Sequence, residues 1–272
     1  MPDAQVRLRV YEALWAPPVK RVLERIRWVR RIYHGWERQH PFDVAHGLDT
    51  SGYLSPAECA RDDSAMASEI TCYAGSQPSI VRAALAALPD RERYTFVDIG
   101  CGKGRPLAVA SELSFQRVVG IEIAPELAAV ARSNAAILAA RFPGRPRIEI
   151  QLGDATTPNA LGEHVVYFMY HAFGAGLMAR LVESVERQFQ RGVQHAFFVY
   201  YNPVHAELLD RSPRFERWSA DTCSYAPHEL GYGPDVRDTV VVWQSVPRRY
   251  AALPGAARDI KVAPSGLSAN LA

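Results

Sequence analysis

The chain has 272 residues, 48% of them apolar, with 31 basic against 29 acidic side chains and a net charge of +2. That composition excludes a disordered or low-complexity chain, and so small a charge says little about partners. No apolar run approaches the roughly 20 residues needed to cross a bilayer, and the start, MPDAQVRLRV, lacks the apolar core of a secretory signal. Cys59, Cys72, Cys101 and Cys223 show no paired spacing, and the histidines show no ligand spacing. A reduced cytoplasmic protein without a metal is therefore predicted.

In chain order, Val22, Leu23, Ile26, Val29, Tyr33 and Trp36 fall at helical spacing from Val19 onward, with Arg21, Arg25, Arg27 and Arg31 largely off that stripe. The pattern predicts a helix packed on the main domain with a solvated arginine face, in preference to a basic amphipathic helix that binds nucleic acid or an anionic membrane. Residues 42–56 are turn-rich and read as an ordered loop. From Ser76 a regular alternation begins: QPSIVRAALAAL as helix, YTFVDIG as strand, RPLAVASEL as helix, RVVGIEI as strand, PELAAVARSNAAILAARF as helix, and RIEIQLGDA as strand. VVYFMYHAFG and HAFFVYYNPV continue it as the fourth and fifth strands, with a helix through Phe189 between them. This rhythm calls for a parallel sheet covered on both faces. FERWSAD and TVVVWQSV follow without a helix between them, which predicts an antiparallel pair, and residues 251–272 read as a flexible tail.

TFVDIGCGKGRP places Gly100, Gly102 and Gly104 at the end of the first strand, where ligands of open parallel sheets bind. Bare backbone there can turn tightly, approach a ligand closely and offer N–H groups. A phosphate-binding P-loop would need Ser or Thr after Lys103, where Gly104 stands, and a dinucleotide fingerprint would need glycine at Arg105. The pattern is Asp-x-Gly-x-Gly-x-Gly, beginning at Asp98. Glu122 closes the second strand, where a carboxylate can accept from both ribose hydroxyls, and Asp154 closes the third, where an acceptor can meet an exocyclic amine. Each could serve only as a helix cap, but three successive strand ends carrying an acid favour a nucleoside site.

On these motifs residues 70–246 resemble a class I S-adenosylmethionine-dependent methyltransferase. Within that superfamily FVDIGCGKGR and RVVGIEIAPEL look closest to an uncharacterised bacterial branch, distantly similar to lysine methyltransferases of the Dot1 kind. The resemblance implies an α/β, Rossmann-like seven-stranded sheet with strand seven antiparallel, helices on both faces and an α-helical N-terminal extension. It implies three parts: residues 1–75 as extension or lid, 76–250 as catalytic domain and 251–272 as tail. S-adenosylmethionine would be the cofactor, with Gly100, Cys101, Gly102, Gly104 and Asp98 near its methionine part. Glu122 would hold the ribose, Ile123 would flank the adenine, Asp154 and Ala155 would address its edge, and Tyr73 of YAGSQPS would cover the methionine end.

The ends of strands four and five supply aromatic residues suited to a sulfonium. His171 is a candidate base, and Tyr201 and Asn202 of YYNPVH are candidate substrate contacts, with Tyr170 and Tyr200 beside them. Family members often carry Asn-Pro-Phe or a similar acidic or amide motif after strand four. Here the residues are His171-Ala172-Phe173, which weakens a lysine acceptor. The predicted activity is methyl transfer to an oxygen or nitrogen of a small molecule, by a monomer or homodimer without nucleic-acid or membrane partners. A protein substrate is the second acceptor class. One alternative is a cyclase of the azetidine-2-carboxylate synthase type that consumes S-adenosylmethionine and releases methylthioadenosine. The others are a non-catalytic binding module and, least favoured, an NAD-dependent oxidoreductase.

Overall fold

A computed structural model describes residues 38–60, 67–158, 161–233 and 235–257, and before them residues 6, 9, 10, 13, 14, 16–23, 25, 26 and 35. Two short strands, β1 (Tyr53–Leu54) and β2 (Tyr73–Ala74), pair antiparallel. The main sheet has seven strands: β3 (Thr95–Ile99), β4 (Arg117–Glu122), β5 (Ile148–Leu152), β6 (His164–Tyr170), β7 (His195–Tyr201), β8 (Phe215–Ser224) and β9 (Arg237–Ser245). Their order is β5-β4-β3-β6-β7-β9-β8. β3 through β7 run parallel to one another, while β9 pairs antiparallel with both β7 and β8. The last strand in sequence is thus inserted, reversed, between the fifth and sixth, as the resemblance implied.

The sheet splits the core into two layers. Phe96, Val166, Phe168, Phe197 and Val199 point to one side, where they meet the helices Pro78–Ala86, Arg105–Ala110 and Pro125–Arg141. Val97, Val165, Tyr167, Phe198 and Trp243 point to the other, against the helices Ala175–Gln190 and Ala206–Asp210. Because β6 and β7 lie centrally and are covered on both faces, they read as unbroken apolar runs rather than as alternation. Each fully buried Phe or Val contributes about 1.5–3 kcal/mol, so the central strands anchor whatever their carboxyl ends carry. The chain crosses the sheet between β5 and β6, leaving β3 flanked by β4 and β6. That switch point opens the cleft in which a ligand can lie.

The first part of the chain departs from expectation. The helix predicted from Val19 covers Pro17–Leu23, with a turn at Arg25 and a bend at Ile26. Leu23 packs against the core, but Val22 and Ile26 are exposed. Arg27, Val29, Arg31, Tyr33 and Trp36 lie outside the described residues. The loop expected at residues 42–56 contains a helix, Pro41–His46, whose start is capped by the His40 ring accepting from the Phe42 amide and whose end is turned by Gly47 at φ 68°. Proline at the first helical position and glycine just past the last were the unused sequence signal. Of the predicted tail, residues 251–257 are tied to β8 by Leu253 N donating to the Trp218 carbonyl at 2.7 Å and Trp218 Nε1 donating to the Ala251 carbonyl at 2.9 Å. Residues 258–272 lie outside the described residues. Among the described residues no helix is long and apolar enough to cross a membrane.

Candidate active site

The turn after β3 is held against β4: the amides of Gly100 and Cys101 both donate to the Ile121 carbonyl at 3.0 Å. Gly100, Gly102 and Gly104 all take positive φ, at 70°, 53° and 85°. At Gly102 space is as restrictive as conformation, since a Cβ there would sit 2.4 Å from the Tyr73 ring. Glu122 closes the arrangement from the next strand. Its two carboxylate oxygens accept from the Gly102 amide at 2.7 Å and the Ala124 amide at 2.8 Å, so it orders the loop before any ligand arrives.

Asp98, the last residue but one of β3, is 2% exposed, with Oδ2 buried and without a partner among the described residues. Burial, and then the neighbouring Glu122, push its carboxyl well above the usual carboxylate range. Burial also raises Glu122, against the pull of its backbone donors. Two acids held out of water beside a turn without side chains suit a ligand that carries positive charge.

These groups border a cavity of about 960 Å³ including its mouth, a size that suits a nucleoside cofactor. Its floor is Asp98, the glycine turn and Glu122; its far wall is Ile123, Leu127, Asp154 and Ala155. Phe173, Leu177 and Arg180 border it beyond β6. The roof comes from the extension. Tyr73 lies on the glycine turn and donates from its hydroxyl to the Thr50 carbonyl at 2.8 Å. Upstream of it, Glu69 to Thr71 run beside Ala172 to Gly174: Thr71 N donates to the Ala172 carbonyl at 3.0 Å and Gly174 N to the Glu69 carbonyl at 2.6 Å.

Nine of the ten predicted cofactor residues border this cavity: Tyr73, Asp98, Gly100, Cys101, Gly102, Glu122, Ile123, Asp154 and Ala155. Gly104 is set back and starts the following helix. Asp154 also does what a strand-end acid commonly does. Its Oδ1 accepts from the Thr156 amide and hydroxyl at 2.8 and 2.7 Å, and its Oδ2 faces Arg180 at 3.3 Å.

Of the five candidate catalytic residues only Tyr170 borders the cavity. Tyr201 is fully buried beneath it and donates to Asp238 at 2.6 Å. Tyr200 points to the opposite face of the sheet, where its hydroxyl meets His171 Nδ1 at 3.3 Å. Burial, with His205 beside it, lowers His171 to about 4. Off the cavity, His171 does not have the placement expected of a base. Asn202 is buried at φ 53°, with its amide donating to the Thr239 carbonyl in the bend that leaves β7. The physical reason is one of phase: β6 and β7 alternate faces, and the bend at His171 (φ 35°) carries its ring away from the mouth.

Residues the sequence reading missed come mainly from the extension: Cys59, Ile70, Thr71, Cys72, Gly75 and Ser76 border the cavity. Arg105, directly after the glycine turn, does so as well although only 3% exposed. No local pattern marks these residues, because their neighbours in space are dozens of positions away.

Residues 97–190 match the family described as "Methyltransferase domain". The chain carries a methyltransferase domain over these residues. The match spans the glycine turn, Glu122, Asp154 and the helix after β6, the elements that enclose the cavity. No curated protein matches the methyltransferase significantly. Among solved structures it is similar to TrmN from Thermus thermophilus, at 17% identity and a TM-score of 0.45 over 62% of this chain and 49% of that one. It is also similar to an RNA methyltransferase from Salinibacter ruber in complex with S-adenosyl-L-homocysteine, at 19% identity, a TM-score of 0.40, and 65% and 95% coverage. A third is the 23S rRNA methyltransferase ErmE, at 18% identity, a TM-score of 0.43, and 67% and 72% coverage. The exclusion of nucleic acid made from the sequence is corrected by these similarities, since proteins named for RNA methylation stand among them. It had rested on reading the arginine-bearing stripe near the start as the solvated face of a packed helix, which says nothing of what enters a cleft.

The residues present fit S-adenosylmethionine, the cofactor that the resemblance implies: a glycine turn that leaves no room for a Cβ beneath Tyr73, and an acid whose buried oxygen lacks a partner among the described residues. When bound, that cofactor supplies a methyl group already activated on a sulfonium.

Proposed function

We propose that this methyltransferase delivers the methyl group to an oxygen or nitrogen nucleophile that enters between Tyr73 of the extension and Tyr170 at the end of β6. The observation that carries this reading is that both rings border the cavity that the glycine turn also lines. Ring faces attract a cation by roughly 0.5–2 kcal/mol and exclude water from it. In this reading Glu122 takes the ribose hydroxyls, Ile123 lies against the adenine, and Asp154 with Ala155 meets its edge. Asp98 offsets the positive charge at the other end, and a cation there favours its ionised form. Residues 1–75 serve as a lid over residues 76–250. All four cysteines are unpaired, in keeping with a reducing cytoplasm.

The protein holds and orients rather than activates, so much of the rate comes from alignment of the nucleophile with the sulfonium. The deciding experiment incubates purified protein and labelled cofactor with cell extract separated into small-molecule, protein and RNA fractions. S-adenosylhomocysteine formed only with a fraction that also gains label supports methyl transfer, and the labelled fraction gives the acceptor class. Methylthioadenosine formed with no acceptor would replace this reading with the cyclase.

A further inference from the structure

Ser76 borders the cavity, is 2% exposed, and its hydroxyl has no hydrogen-bond partner among the described residues. A sealed hydroxyl without a partner costs stability, so such groups are rare unless something else meets them. Beside it lies the guanidinium of Arg105, whose approach requires glycine at 75, since a Cβ there would sit 2.3 Å from Nη1. Arg105 Nε donates to Thr50 Oγ1 at 2.7 Å, and Nη2 to the Thr50 carbonyl at 2.9 Å and Ser51 Oγ at 3.4 Å. Nη1 donates to the Ser76 carbonyl at 3.0 Å. A guanidinium has five N–H groups, and the one left over is on Nη1, the nitrogen next to Ser76.

The two sides of the glycine turn are therefore chemically opposite. Asp98 presents an acceptor without a donor, while Ser76 and Arg105 present donors without an acceptor. That polarity matches an amino acid zwitterion. We propose that Ser76 Oγ and Arg105 Nη1 form the subsite for the α-carboxylate at the methionine end of the cofactor. The seryl hydroxyl turns among its staggered positions to donate, and Arg105 supplies the charge. Asp43, 3.8 Å from Nη2 on the far side, balances that charge while no ligand is bound. The proposal rests on the methyltransferase reading, because it assigns residues to that cofactor.

The test is calorimetric binding to the full chain, with S-adenosylhomocysteine and methylthioadenosine as probes. The second nucleoside lacks the aminobutyrate chain, so it does not reach the subsite. Ser76→Ala is expected to weaken S-adenosylhomocysteine about tenfold, the usual effect of removing a hydrogen bond to a charged group, and to leave methylthioadenosine unchanged. Its melting temperature without ligand should not fall, since the hydroxyl loses no partner. Arg105→Lys keeps the charge but not the fork and should shift the two affinities apart in the same way. Equal losses on both nucleosides, or no loss on S-adenosylhomocysteine, overturn the subsite. Wild-type protein that binds neither nucleoside overturns the cofactor reading itself, and the subsite with it.

Discussion

Asp238, at the start of β9, receives two phenolic hydroxyls on one oxygen: Oδ2 accepts from Tyr201 at 2.6 Å and from Tyr225 at 2.7 Å. Burial raises its carboxyl to about 7, in spite of those two bonds. The unfolded value lies near 3.9, so between about pH 4 and pH 7 the folded chain holds a proton that the unfolded chain releases. The contribution is fully present below about pH 4 and is lost as pH rises through about 7. Asp238→Asn should therefore flatten that part of the stability profile, measured by urea unfolding at pH 5 and pH 8. One amide oxygen can still accept both hydroxyls, so the variant should be no less stable than wild type at pH 8. Asp238→Leu strands the same two hydroxyls and should cost about 1–3 kcal/mol for each; an Asn variant that loses as much would show that the carboxylate charge is needed. Sequence reading chose Tyr201 as a substrate contact because it ends β7. It could not know that Tyr170 and Tyr201 pack ring against ring at 4.5 Å, with only the first reaching the cavity. Periodicity tells which residues share a face and leaves open which face meets the ligand.

At the scale of elements the glycine turn was legible because its requirement is local: three alternate residues, Gly100, Gly102 and Gly104, take a conformation that side chains resist. Gly102→Ala meets that resistance, roughly 1–2 kcal/mol for the left-handed conformation, together with the Tyr73 ring at 2.4 Å. The expected result is at least a tenfold loss of S-adenosylhomocysteine affinity by calorimetry. Gly102→Ala combined with Tyr73→Ala should recover part of it, because the clash is removed while the strain remains. A single variant that binds as wild type would mean the turn does not face the cofactor. The reversed final hairpin was legible too, since FERWSAD and TVVVWQSV have no crossover helix between them. The helix Pro41–His46 was not, although proline and glycine frame it, because turn residues dominate its surroundings. The roof was invisible for a different reason. Thr50 meets Arg105 across 55 positions and Tyr73 across 23, pairings that no local pattern announces.

For the molecule as a whole, the extension is anchored from one side of the catalytic core to the other. Asp43 accepts from Thr50 N at 2.8 Å and Ser51 Oγ at 2.7 Å, and it faces the buried Arg105. Lys103 reaches Asp49 at 2.8 Å, and Asn134 of the Pro125–Arg141 helix donates to the Asp49 carbonyl at 2.8 Å. All these anchors lie after residue 39. A chain lacking residues 1–37 keeps every one of them and should bind S-adenosylhomocysteine within twofold of the full chain. A chain lacking residues 1–52 loses Asp43, Thr50 and Ser51 together and leaves a guanidinium buried without its anion. Breaking a buried pair from one side costs about 3–5 kcal/mol, a large share of the 5–15 kcal/mol that holds a domain together. This second deletion should therefore unfold at markedly lower temperature and lose cofactor affinity. Two truncations that melt and bind alike would show that residues 38–52 lie on the core without supporting it. In that case the roof over the glycine turn would be a separable lid. With the predicted result, residues 38–52 of the expected lid are a fixed wall, tied to the core through Asp43, Asp49, Thr50 and Ser51.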